Sequence, residues 1–227
     1  MLKLKALKLI IAVCLFLPLA AQQPCKAKSS SVQERLSGGE VIVGLKNIGS
    51  KKFVTGRLWI PHSIEKVWPI MVNPYEFKSN ISPGMKTLEV ISDTEKESVM
   101  KITIKYPIPL PIPAIQYTVK SKYFQDENSA KAQFERVSGT IKDFHGFWQA
   151  KRVCNGTKTE VVYSMYLEPG FYVPQWIIRK GVSGELPKTL LSLRKRINSI
   201  YFTHAKPAKR SITATAHLPN KTQSKHL

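Results

Sequence analysis

The period of the apolar pattern changes once along this chain, near residue 172, and that change limits the folds open to it. From about residue 40 to residue 170, apolar side chains recur at every second position in short runs separated by turn signals. Beyond it, Leu186, Leu190, Leu193, Ile197 and Ile200 recur at spacings of three and four, which puts them on one face of a helix. A half-buried sheet has an apolar face that another element must cover. The pattern therefore predicts an α+β domain in which a long C-terminal helix lies over a curved antiparallel sheet. That helix is expected either as an ordinary core helix or as one that grips a cavity.

The alternating runs are residues 40–48, 53–60, 85–92, 98–106, 115–123, 131–137, 143–154 and 158–167. In the second run Val54, Gly56, Leu58 and Ile60 alternate with Thr55, Arg57 and Trp59. In the seventh, Phe144, Gly146 and Trp148 share one face, and His145, Phe147 and Gln149 share the other. Asn155-Gly156 marks a tight hairpin, after which Val161, Tyr163, Met165 and Leu167 are expected inward. Between the second and third runs, Ser63 is expected to cap a helix with Ile64, Val67, Trp68 and Met71 on one side. Asn73-Pro74 ends it, and residues 75–80 predict a short second helix. Residues 29–39 are polar and read as a lead-in. The final helix should start near Val173-Pro174, with Gly181, Gly184 and Pro187 kinking or interrupting it.

One run breaks the alternation chemically. From Tyr106 to Ala114, four prolines alternate with Ile108, Leu110 and Ile112. Proline lacks an N–H and has a fixed φ, so a central strand is excluded. A stiff extended loop displaying three apolar side chains is expected. Those side chains either fold onto the domain or form the mouth of a pocket that touches a membrane.

The first 27 residues read as a signal peptide: lysines at 3, 5 and 8, then an almost wholly apolar run from Leu9 to Ala21. Cleavage is expected at Ala21 or Ala27, which predicts export to a periplasm; an uncleaved anchor is the less favoured alternative. Residues 28–39 then form a linker, 40–201 the domain, and 202–227 a basic tail without periodicity, expected to be disordered. The formal net charge is +20, and its excess sits mostly at the two ends. Such a field draws anionic surfaces, and a transient contact with an anionic membrane is expected. Nucleic-acid binding is not, because no helix-turn-helix, zinc-finger or RNP pattern is present. Of the three cysteines, Cys14 leaves with the leader and Cys154 alone lies in the domain. A disulfide-stapled fold is therefore excluded, and about 160 residues must hold together through their own core.

Several chemistries are excluded by spacing. There is no HExxH or paired CxxC for a metal, no GxSxG elbow, no GxGxxG and no phosphate loop. His145 and Cys154 are nine residues apart on one expected strand, so about 30 Å of strand rise separates them. The acids sit mostly in turns, and only Glu40, Glu160 and Glu168 are worth testing as a carboxylate pair. No catalytic residue, metal or cofactor is expected. What remains is a surplus of aromatic side chains on sheet faces. Trp68, Trp148, Trp176, Tyr106, Tyr117, Tyr163, Phe144 and Phe147 either fill a core or line an apolar cavity, with Arg136, His145 or Gln149 available to fix a ligand head.

The ordered series runs from a strand to a helix with Trp68, then Asn73-Pro-Tyr75, Pro83-Gly84, a run of strands, and Gly146-Phe-Trp148. It continues through Gly156-Thr157-x-x-x-Val161-x-Tyr163, Leu167-Glu-Pro-Gly170 and Val173-Pro174 into a long final helix. This series resembles the START-like superfamily, the helix-grip or SRPBCC group of polyketide cyclases, dehydrases and lipid-transport proteins. Within it, the chain looks most like bacterial relatives of the coenzyme Q-binding START domain. The resemblance implies a seven-stranded antiparallel sheet wrapped around the last helix and enclosing a hydrophobic tunnel. By position it supports Trp68, Trp148 and Trp176 and adds Tyr75 and Leu190 to the tunnel candidates. It implies non-catalytic binding or transfer of a lipid, fatty acid or quinone-like molecule. A cyclase or dehydrase acting on an aromatic or polyketide-like substrate is one alternative, and an interaction or stress-related protein with a filled core is another.

Overall fold

The computed structural model describes residues 31–82, 84–104, 115–170 and 175–202, with side chains of the last segment from residue 184 onward. Eight strands form one sheet: β1 (Ile42–Ile48), β2 (Lys51–Ile60), β3 (Met85–Asp93), β4 (Glu97–Ile104), β5 (Ile115–Gln125), β6 (Ser129–Gly139), β7 (Asp143–Val153) and β8 (Lys158–Glu168). That is one more than the seven the resemblance implied, because each of the eight alternating runs becomes a strand. The spatial order is β1-β2-β8-β7-β6-β5-β4-β3, and every neighbouring pair is antiparallel.

That order follows from connection lengths. Tight links join β1 to β2, and β5 to β8 in sequence, so neighbours in the chain pair in space. Only the step from β2 to β3 crosses the whole sheet. It does so through α2 (Ile64–Val72), the single turn α3 (Pro74–Glu76) and a π-helical turn, Phe77–Ile81. The returning β8 then pairs with β2, Gly56 lying opposite Tyr163.

The covering helix α4 spans Gln175–Phe202. Leu186, Leu190, Leu193 and Ile197 are fully buried, as their spacing predicts, and each contributes about 2 kcal/mol of burial. Pro187 sits inside α4 without ending it, contrary to the expected interruption. Buried Leu186 and Leu190 on either side hold the helical path where proline removes a hydrogen bond. Gly56 permits the close approach of α4: a Cβ there would lie 1.9 Å from Leu186 Cδ2 and 2.7 Å from Leu190 Cδ1.

Polar ties fix the helix ends of this layer. Arg196 grips Glu76 with two hydrogen bonds of 2.8 Å, linking α4 to the α3 turn. His62 Nε2 lies 3.1 Å from Asn198 Oδ1. Ser63 stands at the N-cap of α2 but makes no side-chain capping bond there.

Two expectations are corrected. The lead-in contains a helix, α1 (Ser31–Ser37), whose Leu36 is almost wholly buried. Val32 and Leu36 lie one turn apart and supply too short an apolar face for periodicity to reveal. Arg194 of α4 donates to Gly39 O at 2.7 Å, tying this segment to the domain. Second, Cys154 is disulfide-bonded, its partner lying outside the described residues. The prediction of a fold without a disulfide does not hold. Residues 1–27, the 107–113 loop and the tail beyond 202 lie outside the described residues.

Candidate functional site

Inward-facing positions of β3 to β8 do not meet a solid layer. They leave an apolar pocket that opens to solvent, with about 570 Å³ of empty space when the solvent at its mouth is counted. Met71 and Val72 at the end of α2, with Phe77 of the π turn, close one side. Met85 and Leu88 of β3 and Met100 and Ile102 of β4 make a flexible aliphatic wall, where thioethers adapt to the shape beside them. Val119 on β5 and Ala132 on β6 lie between that wall and the aromatic one.

The opposite wall is aromatic and continuous. Phe77 meets Trp148 edge-on at 5.8 Å, and Trp148 stacks on Tyr163 at 4.0 Å and 7°. Tyr163 approaches Phe134 at 6.0 Å, Phe134 stacks on Phe144 at 5.0 Å, and Phe144 approaches Tyr117 at 5.2 Å. All six rings line the cavity. The β-sheet period explains the set: Phe144, Gly146 and Trp148 of β7 share the inward face, Trp148 paired with Tyr163 of β8 and Gly146 with Phe134 of β6. Gly146 between them leaves room, since a Cβ there would come within 2.8 Å of Phe134 Cζ and 2.1 Å of Ser164 O.

The polar content of the lining side chains is four hydroxyls, on Ser121, Tyr117, Tyr123 and Tyr163, and the indole N–H of Trp148. No charged side chain is among the described lining residues. Tyr123 is satisfied: its hydroxyl bonds Ser98 Oγ at 2.6 Å. Burial pushes the Tyr117 phenol above its ordinary range, and burial together with nearby Tyr117 does the same to Tyr163. Both stay protonated and neutral at physiological pH. Neither phenol oxygen has a hydrogen-bond partner among the described residues.

Tyr117, Trp148 and Tyr163 are therefore brought together at the cavity, as expected of tunnel residues. Other candidates lie elsewhere. His145 is on the outer face, because its neighbours Phe144 and Gly146 point in; its Nδ1 lies 2.7 Å from Asp143 Oδ1, and its ring packs on Phe53 and Tyr166. Arg136 sits beyond the cavity at an irregularity where β5 and β6 slip register, and its Nη2 donates to Gly139 O at 2.9 Å. Tyr75 is 68% exposed, since the α3 turn directs it outward. Trp68 is buried in the core behind the lining, edge-on to Tyr123 at 6.1 Å. Leu190 is core packing against Gly56. Tyr106, Ile108, Leu110, Ile112 and the side chain of Trp176 lie outside the described residues.

Of the carboxylates singled out, Glu40, Glu160 and Glu168 pair with Arg35, Arg57 and Lys142 respectively, and none lines the cavity. Phe144 lines it, one of the two outcomes expected of it, whereas Phe77, Phe134 and the three methionines were not foreseen as lining. The strand residues among them continue the alternation that marks the inner face, but periodicity alone does not say which inward residues meet a void.

A bent antiparallel sheet closed by a terminal helix around an apolar cavity defines a helix-grip domain. Residues 60–194 match the family described as polyketide cyclase / dehydrase and lipid transport. This is more than half of the chain, and the chain belongs to that family. By sequence, no curated protein matches it. Solved structures share its fold. A STAR-related lipid transfer protein from Xanthomonas axonopodis is 17% identical, with a TM-score of 0.58, covering 70% of this chain and 93% of that one. Human StAR-related lipid transfer protein 5 is 14% identical, with a TM-score of 0.55, covering 75% and 92%. The Zhui aromatase/cyclase from Streptomyces sp. R1128 is 10% identical, with a TM-score of 0.53, covering 64% and 93%.

Proposed function

We propose that this protein binds and carries a hydrophobic small molecule in the cavity between sheet and helices, without transforming it. The observation that carries the reading is the wall itself: rings, aliphatic groups and thioethers broken only by four neutral hydroxyls and one indole N–H among the described lining side chains. Apolar burial alone supplies affinity there, at about 0.8 kcal/mol per CH₂ removed from water. The family and the lipid-transfer proteins among its structural neighbours support the same reading.

The aromatase/cyclase among the neighbours keeps the enzymatic alternative in view. General acid–base chemistry needs a group that exchanges a proton near neutral pH. Burial holds the cavity phenols protonated, while Arg136 and His145 are engaged elsewhere. The filled-core alternative is not favoured by this pocket.

The carrier works outside the cytoplasm in this proposal. Support comes from the leader pattern of residues 1–27 and from the disulfide at Cys154, a bond that persists in oxidising compartments. Among the described residues, no helix is long and apolar enough to cross a membrane. The basic residues of α4 and the Pro/Ile loop would meet an anionic bilayer during exchange. Incubating the purified protein with vesicles containing a fluorescent fatty acid tests the reading. Saturable uptake that speeds transfer to acceptor vesicles is expected, and no uptake beyond that of an unrelated protein would overturn it.

A further inference from the structure

The two phenols on the aromatic wall have no hydrogen-bond partner among the described residues, and the wall around them is built of rings. Tyr117 and Tyr163 come from β5 and β8, and Phe144 and Phe134 join them into one row. The two are near enough that Tyr117 opposes ionisation of Tyr163. Protein interiors rarely leave a buried hydroxyl unbonded, because desolvation is then uncompensated. Tyr123 shows the usual outcome in the same cavity, with its hydroxyl bonded to Ser98. By contrast, the phenols of Tyr117 and Tyr163, with the Ser121 hydroxyl and the Trp148 indole N–H, have no partner among the described residues and line the space a guest would fill. A neutral phenol offers one O–H donor, so two of them ask for an acceptor oxygen. The six-ring row favours a flat π-system, through stacked and edge-on contacts that an alkyl chain cannot make.

From this arrangement we infer that the preferred guest is a planar ring compound bearing a carbonyl-type oxygen, held by hydrogen bonds from Tyr117 and Tyr163 against the row from Phe77 to Tyr117. The inference rests on the carrier reading and narrows it. Ser121 supplies a further hydroxyl on the same wall. The methionines opposite adapt to the guest's second face.

Equilibrium dialysis of the full chain against 9-fluorenone, fluorene and dodecanoic acid tests it. Fluorenone and fluorene have nearly the same shape and differ in the carbonyl. Fluorenone should bind about tenfold more tightly than fluorene, and Tyr117→Phe and Tyr163→Phe should each remove several-fold of that advantage while leaving fluorene unchanged. The same variants, free of guest, should melt no lower than the parent, because an unbonded hydroxyl is being removed. A lower melting temperature would mean that the hydroxyls serve the fold, and would overturn the assignment. Equal binding of fluorenone and fluorene, unaffected by either variant, would overturn the hydroxyl site and leave an apolar cavity. Binding of dodecanoic acid alone would overturn the ring preference and leave a carrier of chains. Binding of none of the three would remove the carrier reading and this inference with it.

Discussion

The indole of Trp148 and the phenol ring of Tyr163 lie parallel to within 7°, with centroids 4.0 Å apart, on paired positions of β7 and β8. The contact joins two neighbouring strands within the aromatic wall, and both rings line the cavity. A guest entering that space touches a surface already rigid, so little ordering is required of the protein. Each prediction below rests on this division of the interior into a packed half under α4 and an open half under α2 and the π turn.

Plugging the open half should abolish binding without unfolding the chain. Ala132 lines the cavity from β6, where a larger side chain has empty space to enter. Ala132→Phe should weaken uptake of a fluorescent fatty acid at least about tenfold, which is about 1.4 kcal/mol. Its melting temperature should stay level or rise. Undiminished uptake would place the guest elsewhere.

The packed half should respond in the opposite way. Gly56→Val puts branched carbon where Leu186 and Leu190 already sit. Overpacking of this kind costs about 1–3 kcal/mol, and denaturant unfolding should show it. Combining it with Leu186→Ala should recover part of the loss, because the two sites are in contact and non-additive. Strict additivity would mean that Gly56 does not set the distance of α4 from the sheet.

How far the sequence discloses this arrangement differs between the two halves. Leu186, Leu190, Leu193 and Ile197 are legible because a helix repeats its face and the buried face is entirely apolar. Trp148 and Tyr163 are legible as inward residues by alternation. His145 is excluded from the cavity by that same alternation, since a chemically suggestive residue still points where the pleat directs it. Whether an inward ring meets a neighbour or a void depends on sheet curvature, which no local pattern encodes; hence Phe144 stayed undecided between core and cavity, and Phe134 went unnoticed. Tyr75 was misplaced for a related reason: the direction of a single-turn helix is set by its neighbours. Eight residues of spacing would reveal α1, but its seven residues hold one apolar pair.

Acidification should loosen the end of α4. Burial depresses the imidazole of His62, outweighing its bond to Asn198, and Lys66 adds to the depression. The folded pKa therefore lies below the unfolded value of about 6.5. Stability from this group is fully present above that value and is lost as pH falls through about 6.5 toward the folded pKa. Its ring also packs on Tyr201 and Phe202 at the helix end. Denaturant midpoints should fall between pH 7 and pH 5.5, and His62→Leu should flatten that slope. Parallel slopes in the two proteins would sink the idea.

Export should leave a covalent trace. Cys14 is lost with a cleaved leader, whereas cleavage at Ala21 retains Cys25 as the other cysteine of the mature chain. Peptide mapping without reductant is expected to find Cys154 joined to Cys25, on a chain starting at Gln22. Reduction should lower stability by about 2–4 kcal/mol. A mature chain starting at residue 28, or Cys154 recovered as a free thiol, would contradict this.

The central claim is an occupied interior, and native mass spectrometry of the protein drawn gently from its own cells tests it most directly. The account predicts a mass excess, from a small hydrophobic guest, that disappears on unfolding and is missing from Ala132→Phe, whose ring would fill the pocket. A bare polypeptide mass in every preparation, unchanged after exposure to hydrophobic molecules, would contradict it.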